Sequence, residues 1–91
     1  MTASWTKHAA QDRDAIIDHI AEDNPQAALD LDDHIEHLTT DSLATYPNAF
    51  KPGRIKGTRE MALHPHYVLI YRVENHALSV LRLLHTAQQW P

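Results

Sequence analysis

The chain has 91 residues, of which 43% are hydrophobic, and its formal net charge is -4. This length supports one compact domain over residues 1–91, and the absence of cysteine excludes disulfides, thiol nucleophiles and cysteine zinc sites. No apolar stretch approaches the roughly 20 residues that span a bilayer, and the N-terminus lacks the apolar run of a signal peptide, so we expect a cytoplasmic protein with no membrane partner.

The first half of the chain has the apolar periodicity of two helices. Apolar residues at spacings of three and four predict an amphipathic helix over about Ala9 to Asp23. Asn24 followed by Pro25 predicts an immediate second helix, because Asn caps a helix and Pro is tolerated at its first position. This second helix should run to about Leu43. Two helices joined so tightly form an antiparallel hairpin.

After Gly57 the pattern becomes that of β-strands. The segments REMALH, YVLIYRV and LSVLRLL are rich in β-branched and aromatic residues, and ENHA between the last two favours a tight reversal. The segment SWTKHA near the N-terminus can add a short strand anchored by Trp5. We therefore predict an α+β fold, with the helical hairpin packed on a small antiparallel sheet of three to four strands.

The pairing of the last two strands determines which side chains share a face. If the turn pairs residues of equal parity, Arg72 and Arg82 lie on one face. Their neighbours there would be Val68, Ile70, Val80 and Leu84, and the opposite face would hold Tyr67, Leu69, Tyr71, Val73, Leu81 and Leu83. Both faces are largely apolar and the hairpin covers only one, so we expect a partner to bury the other.

A basic loop, KPGRIKGTRE, precedes the predicted strands. It holds both glycines and four of the eight basic residues. Residues 1–50 carry ten carboxylates against two basic groups, whereas residues 51–91 carry six basic groups against two carboxylates. Four cations on a flexible connection favour docking to phosphates or acidic side chains, although solubility alone would also explain them. These cations are Lys51, Arg54, Lys56 and Arg59.

Eight histidines raise the question of a metal site. Zinc needs three or four converging ligands, but Pro65 extends the chain and should direct His64 and His66 to opposite sides. His34 and His37 are expected on a helix surface among carboxylates. We therefore predict neither a metal nor a cofactor.

Acid–base chemistry is a second use for histidines. Cleavage of RNA through its own 2′-hydroxyl requires a base, an acid and cations that stabilise the phosphate. Several histidines lie near predicted strand ends, and Arg59 is a further candidate cation. Ordinary ion pairs of the arginines and capping by a histidine are the alternative. The candidate catalytic residues of a nuclease are His64, His66, Arg72, Arg82 and His85.

Four segments, in the same order, resemble the RelE/ParE superfamily of bacterial type II toxin–antitoxin toxins over nearly the whole chain. They are IAEDNPQAA, PGRIKGTRE, HPHYVLIYRV and VLRLLHTAQQWP, and they look like the ParE, or plasmid-stabilisation, branch. The family fold, a helical hairpin on a small antiparallel sheet, agrees with the periodicity. The resemblance implies a growth-inhibiting toxin that a cognate antitoxin neutralises, with operator DNA met only through that antitoxin.

The branch of the superfamily decides the mechanism that the resemblance implies. ParE-type members poison DNA gyrase without being enzymes in the usual sense, whereas RelE-type members cleave messenger RNA in the ribosome. The chain has Val68 where RelE-type members often have an arginine, and Thr86 where some have a catalytic tyrosine after the histidine. Another ribonuclease subgroup has an aspartate where this chain has His66.

The overall acidity of the chain also argues against an RNA-lined target. We therefore predict a gyrase poison. A ribosome-dependent mRNA endoribonuclease and a non-toxic antitoxin-binding co-repressor are the alternatives. The residues expected to bind the target or the antitoxin are Lys51, Arg54, Lys56, Arg59, His85, Gln89 and Trp90.

Overall fold

The computed structural model describes residues 3–90, in which helices pack on one face of a five-stranded sheet. The elements in chain order are β1 (Ala3–Trp5), α1 (Lys7–Asp23), α2 (Pro25–His37), a π-helical turn (Leu38–Ser42), α3 (Leu43–Thr45), β2 (Lys51–Pro52), β3 (Arg59–His64), β4 (Tyr67–Glu74) and β5 (Ala77–His85).

Side-chain caps fix where the two main helices begin. The Thr6 hydroxyl accepts a hydrogen bond from the Ala9 N–H at 3.0 Å, so α1 begins two residues earlier than predicted. The Asn24 side chain accepts from the Ala27 N–H at 3.1 Å, which confirms the predicted restart at Pro25. The second helix continues beyond Leu43, although through the π-helical turn rather than as one regular α-helix.

Arg13 ties the helical hairpin together. Its Nε donates to Asp32 Oδ1 at 2.8 Å and its Nη1 to Glu36 Oε2 at 3.2 Å, both on α2. Its guanidinium also lies 4.9 Å from the ring centroid of Trp5 on β1. One side chain of α1 therefore contacts both α2 and the edge of the sheet.

The strand order is β1-β5-β4-β3-β2. The predicted α+β fold is confirmed, but the sheet has five strands, since the two-residue β2 pairs with β3. The segment around Trp5 does form a strand, β1. It runs parallel to β5, so the expectation of a wholly antiparallel sheet was wrong at this edge.

A bulge in β5 changes which side chains share a face. Ile70 pairs with Arg82 and Tyr71 pairs with Val80, which leaves Leu81 as the extra residue. Val80 therefore packs in the core beneath the helices, and Leu81 packs on the opposite face. The predicted positions of Val80 and Leu81 were wrong, because equal parity ends at the bulge.

The sheet has a helix-covered face and a helix-free face. The helix-covered core includes the fully buried Tyr71, Leu69 and Ile35. On the helix-free face, a smaller cluster of Val68, Ile70 and Leu84 is buried under Leu81 and Trp90. The expectation that this face needs a partner was wrong for that cluster, because the chain's own C-terminus covers it. Among residues 3–90, no helix is both long and apolar enough to cross a membrane.

Candidate functional site

The basic loop, residues 51–60, is not the flexible connection expected, because its ends lie in β2 and β3 and hydrogen bonds close the turn between them. The Gly53 N–H donates to the Thr58 carbonyl at 2.8 Å, and the Thr58 hydroxyl donates to the Ile55 carbonyl at 2.6 Å. Gly57 has a φ of 85°, which favours glycine, and a Cβ on Gly53 would collide with the Thr58 hydroxyl. Both glycines are needed for this shape.

Arg54 holds the loop against β3 by pairing with Glu60. The Glu60 Oε2 accepts from the Arg54 backbone N–H at 2.7 Å and from Nε at 3.0 Å, and Oε1 accepts from Nη2 at 3.2 Å. Glu60 is only 6% exposed. These hydrogen bonds from Arg54 outweigh burial and lower the pKa of the Glu60 carboxyl, so it remains ionised at neutral pH.

Arg59 is also engaged within the fold. Its Nη1 donates to the carbonyls of Phe50 at 2.7 Å and Asn48 at 3.2 Å, which fastens the segment entering the loop. Lys51 and Lys56 are exposed, and neither forms an ion pair with another described residue. The four predicted cations therefore separate into two structural arginines and two lysines that face solvent.

The structure brings three of the predicted histidines together. The ring centroids of His64 and His66 are 5.6 Å apart, and the rings of His66 and His85 stack at 5.8 Å. Tyr67 completes this imidazole cluster, 5.7 Å from His64 and 5.5 Å from His85. The expectation that His64 and His66 diverge was wrong, because Pro65 and His66 form the tight turn between β3 and β4.

Backbone contacts orient two rings of the imidazole cluster. The His66 N–H donates to Nδ1 of His64 at 3.2 Å, and the Ala87 N–H donates to Nδ1 of His85 at 3.1 Å. A neutral imidazole that accepts at Nδ1 carries its proton on Nε2. His64 and His85 therefore present Nε2–H donors. Within residues 3–90, no group of three or more metal-ligating side chains has the arrangement of a metal site.

The two arginines of the proposed nuclease set do not join the imidazole cluster. Arg82 donates from Nε to Asp12 Oδ2 at 2.7 Å, and the same oxygen accepts from the Leu83 N–H at 3.0 Å. Arg72 lies five residues from Tyr67 along β4, about 17 Å at the rise of a strand, and pairs with Glu74 at 3.5 Å. The register places both arginines on one side of the sheet, as predicted. Their guanidinium groups, however, pair with Asp12 and Glu74 and not with the imidazole cluster.

The C-terminal segment, residues 86–90, lies over the helix-free face. The Thr86 N–H donates to the His66 carbonyl at 2.8 Å, and Arg54 Nη1 donates to the Gln88 carbonyl at 3.4 Å. Trp90 packs on the small cluster of that face, while Gln89 is exposed. Of the predicted C-terminal residues, Trp90 therefore packs against the fold, whereas His85 and Gln89 face solvent.

The sequence analysis did not identify the two carboxylates that pair with Arg82 and Arg54. Asp12 and Glu60 each accept from a backbone N–H as well as from an arginine, and both look like ordinary charged residues in the sequence. Glu60 does carry a signal, since it directly precedes the apolar residues Met61, Ala62 and Leu63 of the same strand. Nothing local marks Asp12, whose contact spans 70 positions of the chain.

The comparisons with known proteins agree with this fold. The family described as ParE toxin of the type II toxin–antitoxin system, parDE, matches residues 3–90. This chain belongs to the ParE toxin family. The predicted membership of the RelE/ParE superfamily is thereby confirmed, and the chain is a type II toxin by family.

Individual relatives of this ParE-family chain match along most of its length. The protein Y4kP of Sinorhizobium fredii is 39% identical over 88 residues, covering 96% of this chain and 90% of the relative. Toxin RelE2 of Caulobacter vibrioides is 34% identical over 86 residues, covering 92% and 93%. A solved structure of the chromosomal ParDE system from P. aeruginosa superposes with a TM-score of 0.72 at 27% identity, covering 93% of this chain and 95% of that chain.

Proposed function

We propose that this ParE-family chain inhibits growth by binding and poisoning DNA gyrase in the cytoplasm, and that a cognate antitoxin neutralises it. The family membership supports the toxin role, and the similar solved chain from P. aeruginosa is named for a toxin–antitoxin system. In this proposal the toxin acts by contact and not by chemistry on a substrate. It meets operator DNA only through the antitoxin.

The position of Arg82 is the observation that carries the choice of mechanism. A nuclease needs cations beside its acid and base to stabilise the phosphate in the transition state. Arg82 instead holds Asp12 of α1, and Arg72 lies at the other end of β4 from the imidazole cluster. The five proposed catalytic residues therefore do not form one site, which supports a contact-driven toxin.

Two exposed lysines of the basic loop are the proposed contacts with gyrase or the antitoxin. Lys51 and Lys56 extend from a turn that hydrogen bonds hold rigid, so little conformational entropy is lost when a partner binds. His85 and Gln89 are exposed beyond this loop and extend the same proposed surface. Three further predicted residues hold this surface in place. Arg54 pairs with Glu60, Arg59 donates to the Phe50 carbonyl, and Trp90 packs on the small cluster of the helix-free face.

A supercoiling assay tests this proposal. Gyrase is incubated with relaxed plasmid and with the purified chain freed of antitoxin, beside a heat-inactivated sample of the same chain. We expect loss of supercoiling, or trapped DNA breaks, only with the native chain. A folded sample that leaves supercoiling unchanged at micromolar concentration contradicts the proposal.

Ribosome-dependent cleavage of messenger RNA is the second candidate. The convergence of His64, His66 and His85 around Tyr67 favours it, since these groups could act as acid and base. A cleavage assay on translating ribosomes should then lose its products with His85→Gln. The matched control is His34→Gln, which changes an exposed histidine on α2. Absence of cleavage by the unmodified chain removes this candidate.

A further inference from the structure

Histidines of the imidazole cluster fasten the C-terminal segment to the sheet. The Thr86 N–H donates to the His66 carbonyl at 2.8 Å, in the turn between β3 and β4. The Ala87 N–H donates to Nδ1 of His85 at 3.1 Å, and the Gln88 N–H donates to the His85 carbonyl at 2.9 Å. Three consecutive backbone N–H groups of the segment therefore end on two histidines of the cluster.

The turn that holds Thr86 depends on a histidine ring as well. The His66 N–H donates to Nδ1 of His64 at 3.2 Å, so this ring accepts from the turn as the His85 ring accepts from the segment. An imidazole can accept only at a nitrogen that carries no proton. Both contacts therefore require that Nδ1 of each ring is unprotonated.

Protonation of either ring removes its contact with the backbone. A charged imidazole donates at both nitrogens, so its Nδ1–H would face the backbone N–H that it now accepts from. Histidine side chains in peptides gain this second proton near pH 6.5. His64, His66 and His85 are all exposed, so water can deliver the proton before any part of the fold opens.

The charges that form on acidification also repel one another. The ring centroids of His66 and His85 are 5.8 Å apart, and those of His64 and His66 are 5.6 Å apart. Within residues 3–90, none of these three rings forms an ion pair with a carboxylate, whereas His37 does so with Asp41. Solvent weakens repulsion between exposed charges, so the lost acceptors are the larger effect.

The other charged groups near the cluster do not cancel this effect. The ionisable groups that line the two neighbouring cavities are Lys51, Arg54 and Glu60 on the side of the basic loop and His19 and Asp23 on the side of α1, with Tyr67 between the rings. Arg54 neutralises Glu60, so Lys51 makes the loop side positive. Asp23 is negative, but it forms no ion pair with a cluster histidine in the described part of the chain.

The surface under the C-terminal segment is apolar and has few other fastenings. Trp90 packs there over Val68, Ile70 and Leu84. Among the described residues, the segment's one hydrogen bond to the basic loop is that from Arg54 Nη1 to the Gln88 carbonyl, and it is long at 3.4 Å. A segment with so few contacts opens at a small cost in free energy, so the loss of one or two of them changes how often it opens.

We propose that the imidazole cluster is a pH-sensitive switch that releases residues 86–90 from the helix-free face below about pH 6.5. At neutral pH, His64 and His85 accept from the backbone and the segment stays closed. In acid, both acceptors are lost and the apolar cluster under Trp90 is uncovered. The proposal does not depend on gyrase being the target.

The test is nuclear magnetic resonance spectroscopy of the full-length chain at about pH 7.5 and about pH 5.5, on either side of the range in which histidine charges. Protection of amides 86–88 from hydrogen exchange, corrected for the intrinsic effect of pH, reports how often the segment opens. We expect this protection to fall about tenfold in acid, because two neutral hydrogen bonds are lost. Contacts between the Trp90 ring and the methyl groups of Val68 and Leu84 should weaken together with it.

Matched variants show whether the histidine rings cause the change. His85→Asn places an amide oxygen close to the position of Nδ1, so it keeps an acceptor that does not charge in this range. Its loss of protection in acid should be about threefold or less, and the double variant with His64→Asn should lose less than twofold. His34→Asn changes an exposed histidine on α2 and should keep the full change.

Three results overturn the proposal. The first is equal protection of amides 86–88 at the two pH values in the folded, unmodified chain. The second is a loss of protection in the double variant as large as in the unmodified chain, which would mean that other groups control the segment. The third is an equal loss of protection throughout residues 3–90, which would mean general unfolding in acid.

Discussion

The basic side chains of this protein divide by residue type. Within residues 3–90, every arginine is engaged by a carboxylate or a carbonyl, whereas the lysines are exposed and form no ion pair. A guanidinium suits such internal roles, because its planar donors match carboxylates and carbonyls, while an ammonium is compact and strongly hydrated. The arginines thus stabilise the fold, whereas Lys51 and Lys56 form no ion pair in the described part of the chain, which leaves them available for the contacts proposed above.

Replacing Glu60 by Gln should destabilise the fold at neutral pH. The change weakens the hydrogen bonds that hold Arg54, and we expect the free energy of unfolding to fall by about 2 kcal/mol. Because the Glu60 carboxylate is buried, solvent screens its interaction with Arg54 less than it would at the surface. Urea denaturation at pH 7 measures the difference.

The contribution of Glu60 should also depend on pH. Its pKa is lowered in the folded state from 4.5, chiefly by the hydrogen bonds from Arg54. Because its pKa is lower in the folded state, the ionised carboxylate contributes its full stabilisation at any pH above its pKa in the unfolded chain. This contribution is lost as the pH falls through its pKa in the folded chain. The unmodified chain should therefore lose stability below about pH 4.5 more steeply than Glu60→Gln. Parallel pH profiles for the two proteins would contradict this account.

Arg82 should prove to be a structural residue. Arg82→Met breaks a pair in which both side chains are mostly buried, and we expect a loss of about 2 kcal/mol in the free energy of unfolding. Asp12→Asn should cost a similar amount, and the double variant should cost less than the sum, since the two residues share one interaction. Urea denaturation of all three variants tests this. Unchanged stability in Arg82→Met together with lost toxicity would instead point to a direct functional role.

At the scale of elements, the local periodicity of the sequence predicted the helices and strands correctly, but it did not predict all of the pairing between strands. The helical hairpin, the three long strands and the reversal at Glu74–Ala77 follow from periodicity and caps. The bulge at Leu81 was not predictable, because it depends on contacts between strands that no local pattern encodes. The parallel pairing of β1 with β5 joins residues about 75 positions apart, so no local pattern could predict it either.

The turn between β4 and β5 stores strain that glycine would relieve. Asn75 and His76 both have positive φ, 50° and 62°, as the favoured two-residue hairpin turns require, but histidine is poorly suited to the second position. We expect His76→Gly to raise the free energy of unfolding by about 0.5–1 kcal/mol. Thermal denaturation should show this as a midpoint higher by a few degrees.

Glycine placed beside the turn provides the comparison. Ala77→Gly changes the first residue of β5, whose φ is not positive, and should lower the stability by a similar amount. A loss of stability in His76→Gly as large as in Ala77→Gly would show that the turn is not strained. Both variants leave the basic loop and the imidazole cluster unchanged.

At the scale of the whole molecule, the C-terminal segment covers part of the helix-free face of the sheet. The alternation of side chains along the last two strands predicted two apolar faces, of which the helical hairpin covers one, and we expected a partner to bury the other. The sequence could not reveal that Trp90 returns over Val68 and Leu84, because that contact depends on the direction in which the chain leaves β5. Family resemblance, by contrast, was available from four short segments and proved reliable.

Removing Trp90 should expose the apolar cluster of the helix-free face. Trp90→Ala is expected to lower the free energy of unfolding by about 1–2 kcal/mol, less than for a fully buried tryptophan, because the ring is partly exposed. Binding of a hydrophobic dye to the folded protein should increase as well. Gln89→Ala is the matched control, since Gln89 is exposed and lies next to Trp90. Equal behaviour of the two variants would contradict the packing described.

The most direct test of the central claim is a dose–response series in the gyrase supercoiling assay with three single variants. Lys51→Ala and Lys56→Ala change the proposed contacts. Lys7→Ala makes the same change of charge at the start of α1, beside the opposite edge of the sheet. We predict that the half-inhibitory concentration rises about tenfold in each loop variant, equivalent to about 1.4 kcal/mol, and stays within about twofold in Lys7→Ala. Inhibition that is absent from the unmodified folded chain, or equal in all four proteins, would contradict a gyrase poison that acts through its basic loop.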